Sequence, residues 1–201
     1  MSAQQRPLRL AIVAGEESGD LLGADLVAAL KRCLGDRIEL IGVGGRHLQA
    51  EGLASLFDPS EIALMGLSAV LRDLPNLARR ISQTTRAVVD ARPDCLVTND
   101  SPDFGLRVAR RVRAAAPAVA TVHYVCPSVW AWRPGRAPAL KPYIDHILCL
   151  LPFEPAALQR LAGPPGTFVG HRLTREAGLV AASAAQRTRP LAAPDDVKTL
   201  L

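Results

Sequence analysis

Six short apolar runs, at residues 8–14, 38–43, 95–99, 118–125, 146–150 and 167–169, alternate with stretches long enough to be helices. Runs of that length suit strands buried on both faces. Strands that alternate with helices pair in parallel, because each helix carries the chain back to the same end of the sheet. The expected fold class is therefore α/β, a Rossmann-like parallel sheet with flanking helices. Between the first two runs, Leu21, Leu22, Leu26, Ala29 and Leu30 fall on one helical face. From Val70 the apolar positions recur at 70, 74, 77, 81 and 88, again a helical spacing. Pro75 interrupts that series and is expected to start a second helix, since its ring suits a first turn and clashes in a helix interior. Right-handed crossovers gather ligand sites at the carboxyl ends of the strands, so the loops that follow the runs are where chemistry is sought.

The chain's 201 residues, 49% of them apolar, suffice for one domain with its own core. That domain is expected over residues 1–175. From 176 to 201 no strand–helix unit follows, and the Ala-, Ser-, Arg- and Pro-rich composition is that of a weakly ordered tail. The formal charge is +5, yet the arginines are spread along the chain and only two Tyr and four Phe are present for base stacking. Nucleic acid is therefore not an expected partner, and Arg107, Arg110, Arg111 and Arg113 read as a solvated helix face. Cys33, Cys95, Cys126 and Cys149 form neither a CxxC pair nor a disulfide framework, which fits a reducing compartment. His47, His123, His146 and His171 are too dispersed for a local ligand pair, so no metal or other cofactor is expected; His123 reads as a satisfied core histidine. The polar start does not read as a secretory leader, and no run approaches the roughly 18 apolar residues of a membrane span. The expectation is a protein that is soluble or lies on a membrane surface.

Three loops carry candidate chemistry. The first reads Gly15-Glu16-Glu17-Ser18-Gly19-Asp20, with Gly23 a turn later. Its glycines let a ligand approach the backbone, and the following helix start favours anions. The spacing matches neither a G-x-G-x-x-G fingerprint nor a P-loop, which argues against a nicotinamide-dependent dehydrogenase, and Ser18 is not in a nucleophile elbow. The plainer reading is that Ser18 and Asp20 cap a helix. The second loop reads Asn99-Asp100-Ser101-Pro102-Asp103-Phe104. Asp100, at the tip of a central strand, is placed to act as a base on a substrate hydroxyl, while Pro102 and Asp103 also suit a helix start. The third loop, Tyr124 to Arg133, holds both tryptophans of the chain, Trp130 and Trp132, beside Ser128 and Arg133. Two indoles and an arginine suggest a platform for a sugar ring and an anchor for a phosphate; a packed corner is the alternative.

These loops belong to a longer set of segments: AGEESGDLLGADL (14–26), GVGGRHLQAEG (42–52), LMGLSAVL (64–71), NDSPDFGL (99–106), HYVCPSVWAWR (123–133), LLPFE (150–154) and FVGHRL (168–173). In this order, and above all in SVWAWR, the chain resembles the lipid-A-disaccharide synthases over roughly residues 8 to 175. The resemblance implies the amino-terminal domain of a glycosyltransferase B-type fold. It also implies a cytoplasmic enzyme, peripheral on the inner face of the inner membrane, that joins UDP-2,3-diacylglucosamine to 2,3-diacylglucosamine 1-phosphate. The products would be a β-1,6-linked lipid A disaccharide 1-phosphate and UDP, formed with inversion and without a metal. By the same resemblance Asp100 is the base, and Gly15, Glu16, Ser18, Gly19, Asp20, Asp103, Ser128, Trp130, Trp132 and Arg133 line the acceptor cleft. The chain departs from the family pattern at Leu48, where Met is usual, at Cys126, where Ser is usual, and at Pro134-Gly135. Relatives hold UDP in a second Rossmann-like domain, which PLAAPDDVKTLL does not begin. The implied state is either a truncated enzyme or a split one completed by a separately encoded carboxy-terminal domain. A non-catalytic module that binds acylated glucosamine phosphate or a membrane is the other class of function. Its interfacial helix would present Met65, Leu67, Val70, Leu71, Leu74 and Leu77 with Arg72, Arg79 and Arg80, although core packing accounts for the same residues.

Overall fold

The structure, a computed structural model, describes residues 6–35, 37–63, 70–99 and 102–188. Among these residues six strands, β1 (Leu8–Ala14), β2 (Ile38–Val43), β3 (Cys95–Asn99), β4 (Ala120–Tyr124), β5 (His146–Cys149) and β6 (Gly166–Phe168), form one parallel sheet in the order β2-β1-β3-β4-β5-β6. Between them run α1 (Glu17–Leu34), α2 (Arg46–Ala50), α3 (Ser60–Ala63), α4 (Val70–Ala91), α5 (Pro102–Ala115), α6 (Arg136–Leu140) and α7 (Glu154–Arg160). The α/β Rossmann-like arrangement is the one the alternating runs predict. The run at 118–125 yields a shorter β4, because Val125 has φ of 80° and leaves the extended region.

Burial on both faces explains why β1 is nearly continuous in apolar residues. Leu10, Ile12 and Ala14 join one core with Leu22, Ala24 and Val27 of α1, whereas Ala11 and Val13 join the other with residues of α4 and α5. Helix α1 has acidic Glu17 and Asp20 in its first turn and basic Lys31 and Arg32 in its last, complementing the helix dipole. Gly35 ends it at φ 69°, donating its N–H to the Lys31 carbonyl.

Pro75 does not start a second helix. It lies inside the single helix α4, in its second turn, where a missing N–H removes just one intrahelical bond. The ring is exposed, and Leu77, Ile81 and Val88 beyond it hold the helix to the core. Arg107, Arg110 and Arg111 are exposed as expected. Arg113 differs: it pairs with Asp145 and donates to the Pro117 carbonyl and Thr121 Oγ1.

The chain divides into two compact units, Met1–Val169 and Gly170–Leu201; composition placed the boundary at 175. The second unit contains a 3-10 turn (Arg172–Arg175) and α8 (Ala177–Thr188). Among the described residues no helix is long and apolar enough to cross a membrane.

The chain leaves β1 toward the α1 face of the sheet and leaves β3 toward the α5 face. The two loops therefore part at the carboxyl edge, which makes the β1–β3 junction the topological switch point where ligands bind in open α/β sheets.

Candidate active site

At the switch point Ala14 of β1 pairs with Asn99 of β3, which pairs in turn with Tyr124 of β4. The three loops singled out in the sequence thus leave one edge of the sheet from three adjacent strands.

In the first loop Gly15, Gly19 and Asp20 are buried while Glu16, Glu17 and Ser18 are exposed. Because α1 begins at Glu17, Ser18 and Asp20 lie within its first turn rather than at its cap, and Glu16 makes no side-chain cap either. Asp20 instead reaches across to the segment after β2. Its Oδ1 accepts the N–H groups of Gly45 (2.7 Å) and Leu48 (3.2 Å), and its Oδ2 accepts that of His47 (2.9 Å). The carboxylate therefore supplies the amino-terminal cap of α2 and fastens it to α1, a correction to the local-cap reading. A Cβ at position 45 would stand 2.9 Å from Asp20 Oδ2, which accounts for the glycine there.

Asn99 ties the same turn to β3. Fully buried, it donates from Nδ2 to the Gly19 carbonyl (3.0 Å), and its Oδ1 has no partner among the described residues. This approach requires Gly23, where a Cβ would lie 2.5 Å from Asn99 Nδ2. Beneath it, Thr98 Oγ1 and His123 Nδ1 are 2.7 Å apart; burial pushes the His123 pKa down to about 4, so the ring is neutral. His123 is a core residue, as its sequence context suggests.

Beside the first loop opens a cavity of about 450 Å³, walled by Gly15, Glu16 and Glu17 on one side and by Gly45, Arg46 and the Asp58–Ser60 turn on the other. Arg46 Nη2 lies 2.5 Å from Glu17 Oε1. Asp58 accepts the Ser60 N–H (2.9 Å), which holds its carboxyl below the usual carboxylate range. Exposed carboxylates accept hydroxyl hydrogen bonds and a guanidinium takes phosphate, so the walls suit a polyhydroxylated, phosphorylated ligand. Arg46, Asp58 and Ser60 are absent from the sequence-derived site. Arg46 was within reach, because it follows Gly44-Gly45 at the carboxyl end of β2.

The third loop places Ser128, Trp130, Trp132 and Arg133 on the surface. Trp130 is 42% exposed and Trp132 54%, so neither indole is the packed corner that the sequence allowed. Trp130 meets Phe153 edge to face at 5.0 Å, with Nε1 3.4 Å from the buried Glu154 Oε1. The Arg133 guanidinium sits 4.2 Å over the Trp132 ring. Anchored aromatic rings that remain open to solvent are surfaces for the apolar face of a sugar.

Asp100 and Ser101 lie outside the described residues. Asp103 contributes backbone to the first turn of α5, which starts at Pro102 as expected; its side chain is likewise outside the description. Of the proposed interfacial helix, Leu77 is buried in the core, and Arg80 pairs with Glu61 and stacks 4.5 Å over Phe57. Met65 and Leu67, and the side chains of Val70, Leu71, Arg72 and Leu74, fall outside the described residues.

Residues 10–199 match the family model described as lipid-A-disaccharide synthetase. The lipid-A-disaccharide synthase of Rhodopseudomonas palustris (strain HaA2) is 54% identical over 186 residues, which is 92% of this chain and 47% of that protein. Its counterparts in Nitrobacter hamburgensis, 53% identical over 92% of this chain and 47% of that protein, and Ruegeria pomeroyi, 51% over 85% and 42%, are similar in the same way. The chain spans about half the length of the curated relatives it matches. A UDP-GlcNAc 2-epimerase from Neisseria meningitidis, solved with UDP-GlcNAc bound, superposes with a TM-score of 0.58 over 90% of this chain and 53% of its own, at 10% identity. That is a likeness of fold alone.

Proposed function

The chain belongs to the lipid-A-disaccharide synthetase family, and on that premise we propose that it forms the acceptor-side half of an inverting glycosyltransferase of lipid A synthesis. The donor is UDP-2,3-diacylglucosamine and the acceptor 2,3-diacylglucosamine 1-phosphate. Asp100 takes the proton of the acceptor 6-hydroxyl as that oxygen attacks the anomeric carbon; the bond from that carbon to the UDP oxygen breaks, and UDP leaves with the electron pair. Trp130 and Trp132 receive sugar faces, Arg133 and Arg46 take phosphate, and Glu16, Ser18 and Asp103 orient hydroxyls. Gly15 and Gly19 let the acceptor approach the backbone, and Asp20 fixes the far wall of the cavity. UDP is held by a carboxy-terminal domain, and closing the two halves on the substrates supplies much of the rate through positioning. The acylated substrates place the working enzyme on the inner face of the inner membrane.

One observation carries this reading. The three loops on which the resemblance chiefly rests leave three adjacent strands at one edge of the sheet, at its switch point. The test is a chimera in which this chain replaces the aligned half of the Rhodopseudomonas palustris (strain HaA2) relative. With both acylated substrates it releases UDP, whereas the 201 residues alone do not. A folded chimera without turnover overturns the catalytic reading, and if the chain still sediments with anionic vesicles the lipid-binding reading replaces it. UDP release by the chain alone overturns the division of labour between halves.

A further inference from the structure

Cys126, Cys149 and Glu154 come from three segments: the loop after β4, the last residue of β5 and the first residue of α7. The sequence keeps them apart, but β4 and β5 are neighbours in the sheet. Both sulfurs and a carboxylate oxygen lie within 4.8 Å of one another. All three residues are buried: Cys126 is 4% exposed, Cys149 0% and Glu154 4%.

Glu154 is the telling member. Its carboxylate accepts the Leu151 N–H (2.9 Å) and faces the Trp130 indole N–H (3.4 Å), both neutral donors. Among the described residues no Lys, Arg or His forms an ion pair with it. A carboxylate withdrawn from water without a counter-charge is unfavourable, so this pocket is short of positive charge. Two soft sulfurs and one oxygen around such a deficit match a thiophilic divalent cation, not Mg²⁺ or Ca²⁺, which take oxygen shells. A tetrahedral centre with metal–sulfur bonds of about 2.3 Å holds its sulfurs about 3.8 Å apart. The sulfurs therefore need to close in by at most about 1 Å, and the carboxylate oxygen on each sulfur by at most about 1.3 Å.

We propose that Cys126, Cys149 and Glu154 form a binding site for a thiophilic divalent cation of the Zn²⁺ type, clasping the Trp130 loop to the edge of the sheet. Each sulfur binds as thiolate, so two protons pass to solvent per cation bound and nothing is oxidised or reduced. Three protein donors leave one tetrahedral position for water. The carboxylate that binds the cation is the one that faces the Trp130 indole N–H, so occupancy is felt in the loop that carries Ser128 to Arg133. The site stands whatever reaction the chain takes part in.

The test is a Cd²⁺ titration of the full, phosphine-reduced chain, read by the ultraviolet thiolate-to-cadmium charge-transfer band, followed by Zn²⁺ competition. The site binds one Cd²⁺ per chain, and Zn²⁺ displaces it. Cys33→Ser, which alters an exposed cysteine, leaves the titration unchanged. Cys126→Ser, Cys149→Ala and Glu154→Gln each weaken binding by more than about tenfold, the scale already produced by losing outer-shell partners. Zn²⁺ shifts tryptophan emission in the parent chain and not in the double variant Cys126→Ala/Cys149→Ala, with far-ultraviolet circular dichroism establishing that the variants are folded. Absence of the band at one equivalent, or a band that survives in the folded double variant, overturns the site; unchanged emission at saturation overturns its link to the loop.

Discussion

Replacing Asp20 with Ala removes the one carboxylate that caps α2. Three backbone N–H groups lose their acceptor, at 2.7, 2.9 and 3.2 Å, and of their residues Leu48 is buried while Gly45 and His47 are half-buried. A hydrogen bond to a charged group contributes about 1.5–3 kcal/mol, but water can reach the two half-buried donors and one carboxylate serves all three, so simple addition overshoots. The expected loss is about 4 kcal/mol, close to two full bonds. Asp20→Asn separates the contributions. Its single oxygen can keep Gly45 and Leu48, both of which use Oδ1, while its amide turns a donor toward the His47 N–H, for a loss of about 2 kcal/mol. Urea unfolding measures both, with equal m values required for the comparison. Native-state hydrogen exchange should show faster opening at Gly45, His47 and Leu48 and no local change in β4 or β5. An Ala variant within 1 kcal/mol of the parent, or an Asn variant as unstable as Ala, refutes the inter-helix cap.

Gly23→Ala forces a Cβ to 2.5 Å from Asn99 Nδ2, and overpacking of about 1–3 kcal/mol exceeds the roughly 1 kcal/mol that Ala gains in a helix. Urea midpoints should therefore fall; a more stable variant would show that α1 does not bear on Asn99. The unfolded chain binds a proton at His123 near pH 6.5 and the folded chain near pH 4, so this contribution is intact above about pH 6.5 and lost as pH falls toward 4, about 3 kcal/mol in all. Asp145 extends the decline into more acid solution: despite opposing burial, bonds from Thr121 and Arg113 hold its carboxyl below the ordinary 3.8. Stability measured across that range should be flatter in His123→Gln than in the parent, and an equal slope contradicts the buried neutral ring. In the chimera described above, Trp132→Ala should raise the acceptor KM by roughly two- to tenfold with fold intact, since a stacked ring contributes about 0.5–1.5 kcal/mol; an unchanged KM places the sugar elsewhere.

The strands were legible because a parallel sheet buries each strand on both faces, which writes an apolar run of strand length into the sequence. Their order was not, since nothing local says that β1 lies between β2 and β3. Pro75 misled because an early proline satisfies both a helix start and a tolerated second turn. Of the site, the glycine turn and the indole loop were visible from residue type alone. The task of Asp20 was not: its partners lie 25 to 28 residues away, and no spacing rule links an aspartate in one helix to the amino terminus of another. Asp58 and Glu154 each accept an N–H from a chain neighbour, Ser60 or Leu151, but the cavity that Asp58 lines and the cysteines beside Glu154 are brought there by tertiary contacts that no local pattern records.

The proposed sugar transfer assigns the base to the carboxylate at position 100. The most direct measurement is UDP release by the chimera carrying Asp100→Asn, at saturating acylated substrates. Loss of the base should lower turnover by roughly a hundredfold or more while leaving the unfolding midpoint unchanged. Turnover at the parent rate, in a variant that folds as the parent does, contradicts the assignment.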